Sequence, residues 1–345
     1  MEKFLNNFKK IIGGEKVKGI LPPLMAIIAG LLVGFVTLIL FNPSESLSGF
    51  STLLTGGFSS QKAFAKTLST AAPLILTGLS VGIAYKCGLF NIGAAGQFLF
   101  GGFAALLAGL VWGWPWYACL LVAAVAGLII GSIPGILKAY LNVNEVITTI
   151  MLNWITLYLV IVLVGNFRTM WASDVALKGE TAKLKDVNVS GILPDWGLVD
   201  LMSEKSMSIA IIIAIIIAVV LYVIIKKTTF GFKLTACGFN KHASQYAGIN
   251  SKKYIVYVML IAGALSGIGG GLFYLQGRVI LNYGTASLPS QGFDGIAVAL
   301  LGANNPIGII FSAFFISYLK VGGSKMQPEF LSENIDMIIS IILYF

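Results

Sequence analysis

Ser208-Ile-Ala-Ile-Ile-Ile-Ala-Ile-Ile-Ile-Ala-Val-Val-Leu-Tyr-Val-Ile-Ile225 runs eighteen residues without a charge, and Lys226-Lys227 close it. At 1.5 Å of rise per residue such a helix is about 27 Å long, close to the ~30 Å hydrocarbon core of a bilayer. It reads as a membrane-spanning helix. From 226 to 253 the chain carries Lys226, Lys227, Lys233, Lys241, Lys252 and Lys253, with no Asp or Glu. Lysine and arginine collect on the cytoplasmic side of membrane proteins, so this segment is placed in the cytoplasm.

The surrounding sequence has the same character. Of 345 residues, 57% are hydrophobic and 11% charged, against roughly 25% charged in soluble domains. A water-soluble fold of this length cannot hide so much apolar surface, so the excess faces lipid. Apolar runs of spanning length fall at about 20–40, 66–85, 89–112, 115–137, 146–164, 208–225, 254–276, 286–303, 306–319 and 335–345. The expectation is an all-α integral membrane protein of about ten transmembrane helices. Gly292, Asp294 and Gly295 interrupt the start of the run at 286–303. The last run, Ile335–Phe345, holds eleven residues including Asp336. It is too short to cross, so the last helix is expected to be truncated here.

Segment 165–207 contrasts with 226–253. It has five basic and six acidic residues, with Trp171, Pro194 and Trp196, and reads as a folded external loop. Counting spans from these two anchors puts both termini in the cytoplasm. Lys3, Lys9, Lys10, Lys16 and Lys18 support this for the N-terminal segment 1–19. No small-residue cleavage site follows the first apolar run, so it is expected to be retained as a helix. The formal net charge of +9 sits in loops and does not indicate nucleic acid. Cys87, Cys119 and Cys237 lie far apart without CxxC spacing, and the single His242 has no partner residues nearby. They read as packing and surface residues, with no metal or cofactor.

Forty glycines recur at small-xxx-small spacing, as in Gly127, Gly131 and Gly135 or Gly263, Gly267 and Gly271, with Gly78 and Gly82 a further pair. Such faces let membrane helices approach closely. Gly88-Leu-Phe-Asn-Ile-Gly-Ala-Ala-Gly-Gln97 and Leu288-Pro-Ser-Gln-Gly-Phe-Asp-Gly295 echo one another: each is a polar, glycine-interrupted stretch opening an apolar run. Transporters line a central path with such broken segments, because non-helical backbone survives in a membrane only where it is buried or wet.

No GxxxxGK[ST] occurs anywhere, so the chain has no nucleotide-binding loop of that kind. Within 226–253, Asn240 can cap a short helix that Gly248 stops. Phe239, Ala243, Tyr246 and Ala247 fall near one face of it. Such a helix can lie on the membrane surface or dock on a partner.

Gly238-Phe-Asn-Lys-His-Ala-Ser-Gln-Tyr-Ala-Gly-Ile-Asn250, followed by Ile261-Ala-Gly-Ala-Leu-Ser-Gly-Ile-Gly-Gly270, resembles the coupling region of the ABC permease family serving ribose, branched-chain amino acids and nucleosides. Gly88-Leu-Phe-Asn-Ile-Gly-Ala-Ala-Gly-Gln-Phe98, Asn144-Glu-Val-Ile-Thr-Thr-Ile-Met-Leu-Asn153 and Gly292-Phe-Asp-Gly-Ile-Ala-Val-Ala-Leu-Leu-Gly302 resemble its nucleoside branch. The matches keep their order across 88–302. The resemblance implies a transmembrane permease domain over 20–345 with ten helices, in a bacterial cytoplasmic (inner) membrane. It implies a coupling helix at 239–248, with Phe239, Asn240, Lys241, Ala243, Tyr246 and Gly248 meeting a cytosolic ABC ATPase. A second permease subunit and an extracytoplasmic solute-binding lipoprotein or periplasmic protein complete the importer it implies. The chain itself would do no covalent chemistry.

Polar residues at membrane depth are costly and usually face the bundle interior. Asn91, Gln97, Asn153 and Asp294 are the candidates for a substrate path. Amide side chains both donate and accept, which suits ribose hydroxyls and base edges. Each also suits an interhelical hydrogen bond, and Asp294 a helix-start role, as does Glu145. Asn91 and Gln97 sit six apart and share no ideal helix face, so unwinding at Gly93 and Gly96 is expected to bring them together. An ion-coupled secondary transporter would carry charged relays deep in its spans, which are scarce here. A passive solute channel finds only one weak echo, at Asn305-Pro306.

Overall fold

The structure, a computed structural model, describes residues 15–171 and 179–344. No β-strand occurs among them; Trp171–Thr181 and Glu180–Asn282 form isolated bridges. The helices, in chain order, are α1 (Glu15–Phe41), α2 (Ser46–Thr55), α3 (Gln61–Lys86), α4 (Ala94–Leu110), α5 (Trp116–Leu141) and α6 (Glu145–Asn166). Short α7 (Leu184–Val187) and α8 (Leu198–Met202) follow, then α9 (Ala210–Lys227), α10 (Thr229–Phe239) and α11 (Lys241–Tyr246). The last four are α12 (Ser251–Tyr274), α13 (Ser290–Leu301), α14 (Pro306–Ser324) and α15 (Ser332–Tyr344). Six of these, α3, α5, α6, α9, α12 and α14, are long and apolar enough to cross a membrane. Residues Ile27–Phe41 of α1, and α4, are shorter apolar helices. The protein is an all-α membrane protein.

Several boundaries differ from the sequence expectation. The run at 89–112 becomes helical only at Ala94, and the run at 286–303 only at Ser290. Gly292, Asp294 and Gly295 lie inside α13 and do not interrupt it; the break is upstream, over 275–289. Helix α2 was not expected, because ten residues with three serines, Ser46, Ser48 and Ser51, carry no spanning signal. Of the N-terminal segment 1–19, residues 1–14 lie outside the described residues, and 15–19 already belong to α1.

The chain divides into two compact units, one formed by residues up to Ala63 with those from Tyr318 onward, the other by Phe64–Ser317. In the first, α15 packs on α1. A Cβ on Gly34 would lie 2.6 Å from the Ile342 side chain, so glycine is what allows the approach. In the second, α4, α5 and α12 pack on one another. Gly127 and Gly131 of α5 face Gly267 and Gly263 of α12 so closely that a Cβ would stand 2.7 and 2.8 Å from their Cα atoms. Contact of this kind is how membrane helices associate without a hydrophobic drive between them. Outward, Leu121, Val125, Ile129 and Ile136 on α5 and Met151, Trp154, Tyr158 and Val162 on α6 are exposed. These apolar stripes follow helical spacing and suit lipid or a second membrane subunit.

Candidate functional site

Two broken segments organise the larger unit. The first spans Cys87–Gly93, between α3 and α4. Asn91 Nδ2 donates to Gln97 Oε1 (2.9 Å) and to Ser80 Oγ (3.1 Å), and Gln97 Nε2 donates back to Asn91 Oδ1 (3.2 Å). Asn153, on α6, accepts from the Gly96 N–H (2.8 Å) and donates to the Ile92 carbonyl (3.0 Å). Ser266 Oγ on α12 donates to the Ala94 carbonyl (2.6 Å). Asn91, Gln97, Asn153 and Ser266 are all buried. Asn91 and Gln97 thus meet as the sequence suggested, but by a different route. Asn91 precedes the helix, so the spacing of six need not obey helical phase. Gly96 is not unwound; it lies inside α4, where a Cβ would come within 2.8 Å of Asn153 Oδ1.

The second broken segment runs from Leu275 to Pro289, between α12 and α13. It is tied to the 179–193 region by backbone bonds: Thr181 N–H to the Leu281 carbonyl (3.1 Å), Tyr283 N–H to Gly179 (2.7 Å) and Leu193 N–H to Leu275 (3.0 Å). The Leu281 N–H donates to Thr181 Oγ1 (3.1 Å). Tyr283 stacks on Trp171, ring centroids 6.1 Å apart. The two broken segments converge where α13 meets α4. A Cβ on Gly292 would lie 2.7 Å from the Ala95 Cβ, and one on Gly295 2.6 Å from Thr77 Oγ1. Asp294 is half-buried on α13, one turn beyond Gln291.

The lysine-rich segment forms a third feature. Thr228 caps α10, its hydroxyl accepting from the Gly231 N–H (3.2 Å). Asn240 caps α11, its Oδ1 accepting from the His242 and Ala243 N–H groups (3.0 Å each). Gly248 ends the turn at φ +77°, a conformation that favours glycine. Phe239 is 88% and Tyr246 95% exposed, with Ala243 exposed beside them and Lys241 half-buried. Ser244 faces inward, its Oγ 3.0 Å from Ser251 Oγ and 2.9 Å from the Lys241 carbonyl it donates to. At the other end of α10, Gly238 lies against the end of α3: a Cβ there would stand 3.0 Å from Cys87 Cα, and Gly88 (φ +73°) approaches the Gly238 carbonyl. Burial pushes the Cys87 thiol up to about 12, with Cys237 nearby adding to it. A cavity of about 540 Å³ opens there, lined by Tyr85, Phe90, Glu145 and Phe239. Glu145 starts α6 and pairs with Lys138 at 2.8 Å. No cluster of three metal-ligating side chains occurs among the described residues.

Residues 63–345 match the family described as branched-chain amino acid transport system, permease component. The chain belongs to this permease family. The permease is 38% identical over 96% of its length to the guanosine ABC transporter permease protein NupP of Bacillus subtilis, covering 94% of that protein. It is 37% identical to the nucleoside ABC transporter permease protein NupB of Lactococcus lactis subsp. cremoris, over 96% of this chain and 91% of the relative. The glucose ABC transporter permease protein TsgB13 of Haloferax volcanii is 31% identical over 89% of this chain and 81% of its own. No solved structure matches the permease.

Sequence reading did not single out Ser80, Ser244, Ser251 or Ser266 in the permease. A buried serine carries no periodic signal, and the partners that matter lie on other segments: Asn91 for Ser80, Ser251 for Ser244 and Ala94 for Ser266. The spacing of Ser244 and Ser251 spans a turn, which only tertiary structure reveals.

Proposed function

We propose that this permease is one subunit of an ATP-driven importer that carries nucleosides across a bacterial cytoplasmic membrane. Near-full-length similarity to a guanosine and a nucleoside ABC permease carries that reading. ATP hydrolysis belongs to a separate cytosolic ATPase, a second permease completes the path, and an extracytoplasmic binding protein delivers the solute. The chain crosses the membrane about ten times, with residues 1–19, 226–253 and the C-terminus cytoplasmic and 165–207 outside.

Helix α11 couples the permease to the ATPase. Its geometry supports this: a capped helix, pinned to α12 through Ser244 and Ser251, presents Phe239, Ala243 and Tyr246 outward. From there the physical contacts are continuous. Helix α10 presses Gly238 on Gly88, Gly88 leads to the Asn91–Gln97–Asn153 clamp, and α4 carries Ala95 against Gly292. A rigid-body shift of α10–α11 on ATPase closure would move the starts of α4 and α13 together, which is alternating access by a small set of packed elements. The path runs beside these starts, its wall shaped by the bonded side chains of Asn91, Gln97 and Asn153 and by Asp294.

Tyr246→Ala tests the coupling. Truncating an aromatic interface anchor typically costs ~2 kcal/mol or more, so the ATPase should co-purify at least about tenfold more weakly and labelled guanosine uptake should fall. Membrane abundance should be unchanged. Full ATPase binding with full uptake would mean that α11 is a surface-lying helix and not the coupling element.

A further inference from the structure

We propose that the cavity beneath the 280–289 strap is a recognition chamber for an uncharged nucleoside. It rests on the nucleoside-import reading and adds where and how the solute is told from others. The cavity measures about 220 Å³ and lies between Leu99 of α4, Leu157 and Val160 of α6, the end of α12 and the start of α13. Leu99 stands two residues beyond Gln97 on α4, and the residues 280–289 of the lining belong to the second broken segment. Solute sites in transporters sit at such junctions of discontinuous helices.

The lining is specific in its chemistry. Phe273, Tyr274 and Tyr283 bring three aromatic side chains, and Asn282, Ser287 and Gln291 bring polar groups. A largely apolar pocket with a few placed polar groups is the ordinary form of a small-molecule site. Among the described residues, no Asp, Glu, Lys, Arg or His lines it. An amino acid or a nucleotide would leave its charges there without partners, a heavy desolvation cost. A nucleoside is neutral, has a flat base to lie against aromatic rings, and carries hydroxyls for amides. The volume is below the roughly 300 Å³ at the lower end of ligand pockets, which favours a compact, rigid solute.

Three donors or acceptors are left over for it. The Tyr283 hydroxyl is buried and has no hydrogen-bond partner among the described residues, although stacking on Trp171 fixes its ring. A buried hydroxyl without a partner calls for an explanation, and a solute that bonds it supplies one. Asn282 spends its carbonyl oxygen on the Gly284 and Thr285 N–H groups (3.0 and 3.1 Å), leaving its amide N–H groups as donors. Gln291 lies in the first turn of α13, whose start at Pro289 has no side-chain cap, so backbone N–H groups stand beside its amide.

The test uses the assembled importer in proteoliposomes and in intact cells. Ser287→Cys should react with a membrane-impermeant thiol reagent, the native Cys87, Cys119 and Cys237 being buried. Saturating guanosine should slow that reaction at least about tenfold, while guanosine monophosphate, leucine and ribose should not. Tyr283→Phe should raise KM for guanosine about fivefold, the size of one lost hydrogen bond, and leave the maximal rate unchanged. Leu99→Phe, which fills the chamber, should lower uptake at unchanged abundance. If the wild type imports nucleosides but guanosine gives no protection and Tyr283→Phe keeps its KM, the chamber assignment is wrong. Protection by ribose as strong as by guanosine would overturn the nucleoside assignment. A wild type that imports no nucleoside would instead overturn the functional reading itself.

Discussion

The two broken segments look alike in sequence and differ in chemistry. At 87–97 every singled-out polar side chain is buried and bonded: Asn91 to Gln97 and Ser80, Asn153 to the backbone on both sides of Gly93. At 275–291 the strap is held mainly by backbone bonds to 179–193, and its side chains line a cavity with one hydroxyl unpartnered among the described residues. The same glycine-interrupted pattern thus makes a clamp in one place and a chamber in the other. What separates them is whether a neighbouring helix supplies the complementary amide. Helix α6 supplies Asn153 to the first; nothing comparable meets the second among the described residues. Buried polar groups in hydrocarbon must be satisfied internally, so the first segment is rigid by construction and the second is completed by what it binds.

The largest effect is expected at the clamp. Gly96→Leu would drive a side chain into Asn153, whose Cα lies 2.9 Å from a Cβ at that position. Overpacking costs roughly 1–3 kcal/mol, and losing the Asn153 bonds adds to it. Detergent-extracted protein should aggregate in size-exclusion chromatography; a monodisperse peak at wild-type yield would break the clamp account. Asn153→Ala should cost less. It strands the Gly96 N–H and the Ile92 carbonyl, about 1–3 kcal/mol each by soluble-protein figures and less in membranes, where side-chain hydrogen bonds average ~0.6 kcal/mol. The melting temperature should drop by a few degrees with KM for nucleoside unchanged. Gln291→Leu should show the reverse, a raised KM at an unchanged melting temperature. If the two variants behave alike, the distinction between clamp and chamber collapses.

Two smaller effects concern the region around the Gly88–Gly238 junction. Glu145→Gln removes a partly exposed ion pair with Lys138, and such pairs contribute about 0–1 kcal/mol. Thermal stability should stay within about 2 °C, measured by differential scanning fluorimetry; a large loss would assign Glu145 a heavier role at the 540 Å³ cavity it lines. Cys87, with its thiol held near 12, has almost no thiolate at pH 7.5, and the thiolate is the reactive form. Maleimide should leave it unmodified in the folded protein and label it after denaturation, as read by peptide mass spectrometry. Rapid native labelling would show that the Gly88–Gly238 junction opens.

Helix α11 was legible because its signals are local: Asn240 caps within three residues and Gly248 stops the turn with its own φ. The membrane class was legible from the uninterrupted run at 208–225. The start of α13 was misplaced because Gly292 and Gly295 look like breakers in sequence, whereas they are small to admit Ala95 and Thr77 from other helices. Tertiary packing alone decides between those roles. Asn91 and Gln97 could be paired in advance, yet the bond from Asn91 to Ser80 and those of Asn153 to Gly96 and Ile92 come from other helices, and the chamber joins residues as distant as 99, 160, 283 and 291. No periodicity links such positions.

Uptake of labelled guanosine into proteoliposomes holding the permease, its companion permease and ATPase, with binding protein outside, tests the central claim most directly. The expected result is accumulation above the external concentration only when the ATPase can reach and hydrolyse ATP, unaffected by collapse of ion gradients. Accumulation that persists with a hydrolysis-dead ATPase and follows a proton or sodium gradient would contradict it, and would make this chain an ion-coupled transporter.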